Sequence, residues 1–216
     1  MKSSEIEALF SKYDVMEKNV KDDNKPLLKT RYEYLEDWIN ASKYEKIIEL
    51  GAGSGIPAIY LLERCGSIKE YIAVDPESVE YLSRKEGFPK FLIDKYKDKL
   101  KFVKTTAFEA SKMFPDGYFD LIYLDFLGIM SHKFTPGSSE GFEECKKNIL
   151  AWIPKVRKNG MLCSHDYIRK MFKNHCNALE EVFPDGVNLI KESSIYMDTS
   201  VSPHKEISLY LWWKYM

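Results

Sequence analysis

The stretch Glu45 to Leu62, EKIIELGAGSGIPAIYLL, decides how the rest of the chain is read. Ile47, Ile48 and Leu50 form an apolar, β-branched run with the length of a buried strand. Gly51, Gly53 and Gly55 follow at alternate positions. Ile56, Pro57, Ala58, Ile59, Leu61 and Leu62 then open a helix, with Ser54 or Gly55 near its N-cap and Pro57 in its first turn. A strand, a glycine turn and a helix in that order make a ligand cradle. Glycine accepts positive φ and lets a ligand approach the backbone, and the helix start offers free N–H groups. Ordinary βα units also have turns, so the neighbouring segments carry the distinction.

The first of these is Glu70 to Ser78, EYIAVDPES, a second buried strand ending on Asp75. An acidic residue there, about 20 residues past the glycine turn, accepts hydrogen bonds from ribose hydroxyls. Nicotinamide enzymes and S-adenosylmethionine-dependent methyltransferases share that pattern. Two features favour the methyl donor. Glu49 stands two residues before Gly51, where a carboxylate suits an ammonium and a sulfonium but repels a pyrophosphate. The turn E-L-G-A-G-S-G also lacks the G-x-G-x-x-G spacing of the dinucleotide fingerprint. On these residues the sequence resembles the class I S-adenosylmethionine-dependent methyltransferases. The resemblance implies a donor site made by Glu49, Gly51, Ala52, Gly53, Gly55, Asp75 and Pro76.

Length and composition bound the alternatives. The 216 residues, 44% hydrophobic and 30% charged, fit one domain with a sizeable core. Lys+Arg 32 against Asp+Glu 33 gives no global basic field, so no nucleic-acid partner is expected. The most lysine-rich stretch, Lys85 to Lys104, also carries Glu86, Asp94 and Asp98 and reads as a solvated face at least as well as a binding patch. No apolar run approaches the roughly 20 residues that span a bilayer, and MKSSEIEALF lacks the apolar stretch of a signal peptide. Cys65, Cys145, Cys163 and Cys176 show no C-x-x-C spacing, which suits free thiols in a reducing cytoplasm. The composition is compatible with a homodimer.

Along the chain, residues 1–44 read as helical and 45–216 as the core of a single domain. Ile6, Leu9, Phe10, Tyr13 and Met16 recur at helical spacing, as do Leu28, Tyr32, Leu35, Trp38 and Ile39. The resemblance makes this segment a cap over the cofactor pocket; a helix that only covers the sheet fits equally well. Glu77 to Glu86 reads as a helix, Phe91 to Leu100 as mixed, and Lys101 to Thr105 as the third strand. By the resemblance, Ala107 and Phe108 occupy the turn that touches adenine. Phe119 to Asp125, FDLIYLD, is a central parallel strand ending on a carboxylate. Phe126 to Gly141 is a long loop with His132, Glu140 to Val156 a helix closed by Gly160, and Met161 to Ser164 a short fifth strand delivering His165-Asp166-Tyr167. Ile168 to Phe183 reads as helical. Val187 to Met197 and Glu206 to Tyr215 form an antiparallel pair joined around Ser202-Pro203-His204. This alternation matches an α/β, Rossmann-like, seven-stranded methyltransferase sheet of order 3-2-1-4-5-7-6, with helices on both faces.

Methyl transfer from a sulfonium is an in-line displacement, so the protein must juxtapose donor and acceptor and handle the acceptor's proton. By the resemblance, the loops after strands four and five serve the acceptor, with Asp125 also beside the donor. The segment GMLCSHDY resembles the strand-five end of a family with a G-x-x-x-x-H-D-Y pattern, related to the macrocin and catechol O-methyltransferases. Those enzymes bind magnesium through carboxylates at the positions of Asp125 and Asp166. The third ligand departs: the macrocin type has Asp where His165 stands, and the catechol type has Asn where Tyr167 stands. A histidine there suits Mn²⁺ or a softer ion better than Mg²⁺. Two mechanisms stay open. Either Asp125, Asp166 and His165 bind a metal, or His165 or His132 acts as a metal-free base. Asp166 as a cap of the following helix is a third account of that residue.

The favoured function is therefore methylation of a hydroxyl on a small molecule such as a sugar or phenol, using S-adenosylmethionine. A macromolecular acceptor is the first alternative, although the fourth strand ends L-D-F-L-G rather than the N-P-P-Y or D-P-P-Y of N-methylating nucleic-acid enzymes. A binding module without turnover is the second alternative and an NAD-dependent oxidoreductase the third.

Overall fold

A computed structural model describes residues 31–53, 55–77, 90–126, 133–165, 167, 169, 172–196 and 205–216. Helix α1 spans Arg31–Ser42 and leads into β1, Lys46–Leu50. Then follow α2 (Ile56–Arg64), β2 (Glu70–Val74), α3 (Lys90–Tyr96), β3 (Leu100–Val103), α4 (Ala107–Ser111) and β4 (Phe119–Leu124). The chain continues with α5 (Ser139–Trp152), a 3₁₀ turn (Ile153–Lys155), β5 (Val156–Ser164), α6 (Lys173–Val182), β6 (Asn188–Tyr196) and β7 (Lys205–Tyr215). The seven strands form one sheet in the order β3-β2-β1-β4-β5-β7-β6, as expected from the sequence. β1 to β5 are parallel, and β7 runs antiparallel to both β5 and β6.

Alternation along the strands divides the core into two layers. Ile47, Tyr71, Leu121, Tyr123, Met161 and Cys163 face α1, α2 and α3, where Tyr32, Leu35, Ile39, Ile59 and Tyr96 meet them. Ile48, Leu50, Ile72, Val74, Ile122 and Leu124 face the other way, toward Ile149 and Trp152 of α5 and Ala178 and Leu179 of α6. All six residues of β4 are buried, which is the burial expected of a central strand covered on both sides. Trp212 is fully buried, and its indole N–H donates to Nε2 of His175 over 3.2 Å.

The helix expected over Glu140 to Val156 ends earlier, at Trp152, and the fifth strand begins at Val156 rather than Met161. Pro154 has no N–H to continue the helix, and the chain tightens into the 3₁₀ turn. Val156 then pairs with Phe119, while Arg157 reaches Asp120. The basic run Lys155–Lys158 is thus spent on turn and strand contacts rather than on a helix terminus. Lys155 pairs with Asp116 over 2.7 Å. The sixth helix begins at Lys173, later than the expected Ile168. The expected helices over residues 1–30 and 77–86, and the turn at Ser202-Pro203-His204, lie outside the described residues apart from their edges. Among the described residues no helix is long and apolar enough to cross a membrane.

Candidate active site

Parallel register brings the ends of β1, β2, β4 and β5 to one edge. Leu50 pairs with Val74 on one side and Leu124 on the other, and Leu124 pairs with Ser164. The residues immediately after these strands are Gly51, Asp75, Asp125 and His165, so four chain segments distant in sequence converge where ligands bind in open α/β sheets.

The glycine turn is pinned by its backbone. The Gly51 and Ala52 N–H groups both donate to Val74 O, over 2.8 and 3.1 Å, and Asp125 N–H donates to Leu50 O over 2.8 Å. Gly51 has φ 89°, and a Cβ there would lie 2.9 Å from both Asp125 O and Phe126 Cβ. Gly53, also left-handed, faces open space, with nothing within 4 Å of where its Cβ would be. Gly55 is the N-cap of α2, with Pro57 in the first turn. Gly51→Ala is expected to reduce S-adenosylhomocysteine affinity at least about tenfold, because backbone strain of roughly 1–3 kcal/mol adds to the clash with Asp125. Calorimetry on the variant, with a thermal melt as folding control, measures this.

Asp75 organises the same turn. Its Oδ2 accepts from Gly53 N–H over 3.0 Å and its Oδ1 from Glu77 N–H over 2.8 Å. Pro76 is exposed beside it. Ala107 and Phe108 are the first residues of α4, whose N-cap Thr106 accepts from Glu109 N–H. Ala107 is buried and its carbonyl accepts from Trp152 Nε1 over 3.1 Å. Phe108 is half-buried, with the Lys112 and Lys147 ammoniums 4.8 and 4.2 Å from its ring centroid, surroundings that compete with stacking on a purine.

Glu49 lies on the α1 face of β1 and is fully buried. The Tyr71 hydroxyl donates to Oε2 over 2.8 Å, while Oε1 has no hydrogen-bond partner among the described residues. Burial pushes its carboxyl up to about 8; the charge of Asp125 adds to this, and the Tyr71 bond and Arg31 oppose it. Burial also raises the Tyr32, Tyr71 and Tyr123 hydroxyls well above their ordinary value, so all three are neutral hydrogen-bonding groups. An unsatisfied acceptor buried beside a glycine cradle fits a donor that carries positive charge.

At the acceptor side Asp125 and His165 meet. His165 Nδ1 lies 3.0 Å from Asp125 Oδ1 and 3.0 Å from the Tyr123 hydroxyl. On the other edge of the ring, Arg31 Nη1 approaches Nε2 to 2.8 Å. A guanidinium only donates, so Nε2 is the acceptor, the imidazole is neutral, and its proton sits on Nδ1 facing Asp125. Tyr32 donates to Asp125 Oδ2 over 3.4 Å, and Arg31 Nη1 is 3.9 Å from Oδ1. Burial alone would raise the Asp125 carboxyl, but Arg31 and His165 outweigh it and hold it below the usual range. Sequence reading placed Tyr32 in the helical apolar pattern of the N-terminal segment and did not single out Arg31. Nothing local connects Arg31 to Asp125, 94 positions on, before the fold is known.

His132 and Asp166 lie outside the described residues. Of the loop expected over Phe126 to Gly141, the later part is tied down by the buried Asn174, which accepts from Gly137 N–H over 2.6 Å and donates to Thr135 O over 3.1 Å. Among the described residues, no three His, Cys, Asp or Glu side chains gather as a metal-binding group. Asp125 and His165, as arranged, do not fit a metal: Nε2 is committed to Arg31, Nδ1 carries a proton, and a guanidinium already balances the carboxylate.

A sheet of this order with a glycine cradle after its first strand and a carboxylate after its second is the arrangement of the S-adenosylmethionine-dependent methyltransferase fold. The methyltransferase domain model matches residues 48–167, so the chain belongs to that family. No curated protein matches the sequence. Among solved structures, the chain is similar to an O-methyltransferase from Bacillus cereus in complex with SAH, at TM-score 0.60 and 12% identity, covering 99% of this chain and 92% of that one. A protein provisionally designated a caffeoyl-CoA O-methyltransferase, from Staphylococcus aureus, aligns at TM-score 0.58 and 12% identity over 99% and 93% of the two chains. Spermidine synthase from Thermotoga maritima aligns at TM-score 0.55 and 16% identity, over 86% of this chain and 60% of that one. At such identities these likenesses speak for the fold alone.

Proposed function

We propose that the enzyme moves the methyl group of S-adenosylmethionine to a hydroxyl oxygen of a small molecule. The observation that carries this reading is the Asp125–His165 pair, set one residue beyond β4 and β5 and anchored to the donor turn through Asp125 N–H and Leu50 O. The methyl carbon leaves sulfur with its bonding electrons staying on sulfur, a C–O bond forms, and the acceptor's proton passes to a base. A neutral imidazole steadied by a carboxylate is suited to receive that proton near neutral pH. The side chains of Asp125 and His165 are only 12% and 13% exposed, a recess that suits a metabolite better than a macromolecular surface. Glu49, the glycine turn and Asp75 serve the donor in this reading.

Calorimetric titration of S-adenosylhomocysteine into wild type and Asp75→Ala tests the donor side. Micromolar binding is expected in the wild type, weakened at least about tenfold in the variant, since both ribose contacts and the hold on Gly53 are lost. Incubation with labelled donor and a panel of sugars, phenols and hydroxy acids tests the acceptor side. Methyl transfer to amines but to no hydroxyl would sink the proposal.

A further inference from the structure

We propose that Arg31 supplies the positive charge that a divalent metal would otherwise bring to Asp125 and His165, and that the acceptor oxygen binds between its guanidinium and His165 Nε2. This rests on the hydroxyl-methylation reading and deepens it by assigning the group that orients the acceptor.

Three observations carry it. The first is tautomeric. With Nε2 accepting from Arg31 over 2.8 Å and the Nδ1 proton directed at Asp125, neither ring nitrogen has a lone pair for a metal until Arg31 leaves. The second is charge. Among the described residues, the Arg31 guanidinium already stands against the Asp125 carboxylate beside a neutral imidazole, so a divalent ion would have to compete with a bound cation for that carboxylate. The third is anchorage. Arg31 opens α1, whose Tyr32, Leu35 and Ile39 are buried against the sheet. Its guanidinium carbon lies 5.0 Å from the Tyr32 ring centroid, and Tyr32 in turn donates to Asp125. The cation is thus fixed by the core rather than carried in from solvent, and its side chain is 26% exposed, open enough for a ligand to reach.

The chemistry follows from inserting an oxygen into the Arg31–His165 hydrogen bond. The Arg31 N–H turns from Nε2 to the acceptor oxygen, and the freed Nε2 lone pair accepts that hydroxyl's proton. As the oxygen takes the methyl carbon, its O–H electron pair forms the C–O bond, the C–S pair returns to sulfur, and the proton remains on Nε2. The guanidinium stabilises negative charge developing on oxygen, and Asp125 stabilises the imidazolium. Arg31 and His165 together do what a metal does in polarising and orienting a hydroxyl.

The experiment uses the full chain and separate measurements. Mn²⁺ titrated into wild type by calorimetry is expected to show no stoichiometric site at up to about 1 mM, well short of a built site's affinity. Nitrogen-detected NMR of histidine is expected to show His165 neutral and protonated on Nδ1, with that pattern altered in Arg31→Gln. In the same variant, kcat for hydroxyl acceptors should fall about 100-fold with S-adenosylhomocysteine affinity changed less than about threefold, and Arg31→Lys should restore part of it. A stoichiometric Mn²⁺ site in wild type that Asp125→Asn abolishes would overturn the proposal, as would a His165 protonated on Nε2. Failure of S-adenosylhomocysteine to bind, or of any hydroxyl to be methylated, would instead mark a failure of the function proposed above; the metal and tautomer measurements do not depend on either.

Discussion

Above pH 8 the Glu49→Gln protein is expected to melt at a higher temperature than wild type, yet to bind S-adenosylhomocysteine at least about tenfold more weakly. Both effects come from one buried carboxyl. Glu49 is fully inaccessible, one oxygen accepts from Tyr71 and the other has no partner among the described residues. Its carboxyl therefore holds its proton to about 8 against an ordinary 4.5. The unfolded chain loses that proton near 4.5 and the folded chain only near 8, so the native state binds more protons between those values. Stability accordingly falls as pH rises through that window and levels off above it; at 1.36 kcal/mol per pH unit the loss is about 4–5 kcal/mol. Glutamine cannot ionise and escapes this loss, although its buried amide N–H groups cost roughly 1–3 kcal/mol. The two melting curves should then cross: the variant is the less stable protein at pH 5 and the more stable one at pH 8.5. Differential scanning calorimetry across that range measures the crossing. A variant less stable at every pH would show that the carboxyl is ionised and paired in the apo fold. The binding loss follows because the donor's cationic groups convert the unsatisfied carboxyl into a paired carboxylate, and an amide offers them no charge.

Asp125→Asn is expected to behave in the opposite sense, losing stability at neutral pH together with at least about 100-fold of methyl transfer. Asp125 is the shared partner of Tyr32, His165 and Arg31. Its carboxyl is held low, so its contribution is fully present above the unfolded value and is lost as pH falls through the depressed one. Replacing it removes a carboxylate charge from beside Arg31 and His165. A fully buried pair would cost roughly 3–5 kcal/mol on such a loss, and the partial exposure of Arg31 reduces this to about 1–3 kcal/mol. In a chain of 216 residues that corresponds to a fall of about 3–10 °C in Tm. The gap between variant and wild type should close on acidification, because wild-type Asp125 then becomes neutral as well. Tm measured from pH 7 down to pH 3 follows that closure. A gap that stays constant with pH would mean that the carboxylate charge is not what holds the three partners together.

The amino-acid sequence by itself determined the succession of strands and helices, because those signals are local, and the order of the strands in the sheet came from the resemblance to the class I methyltransferases. An apolar run, a turn residue and a helix period each declare themselves within a few positions. EKIIEL, EYIAV and FDLIYL are such runs, and their placement side by side before any coordinates is what the resemblance implied. The donor turn was legible for the same reason: Gly51, Gly53 and Gly55 report backbone demands that only neighbouring atoms impose. The start of β5 was not legible. Val156 is a strand residue because Phe119 lies beside it, and no local feature of KVRKNG records that partner.

The acceptor side was decided by tertiary structure alone. Strand-end position and the resemblance marked Asp125 and His165 as candidates, and residue type alone allowed a metal or a base. In the reading proposed above, the choice between those chemistries rests on the group at the other side of the imidazole, Arg31, delivered by a helix 134 positions away. Hydrogen-bond direction and charge balance are properties of groups brought within about 3 Å of each other, and no window along the chain contains them. Glu49 shows both halves at once. Its position two residues before the glycine turn was plain in the sequence. Its carboxyl is pushed up by the depth of its burial and the charge of Asp125, against the Tyr71 hydrogen bond, and only the folded sheet places those groups beside it.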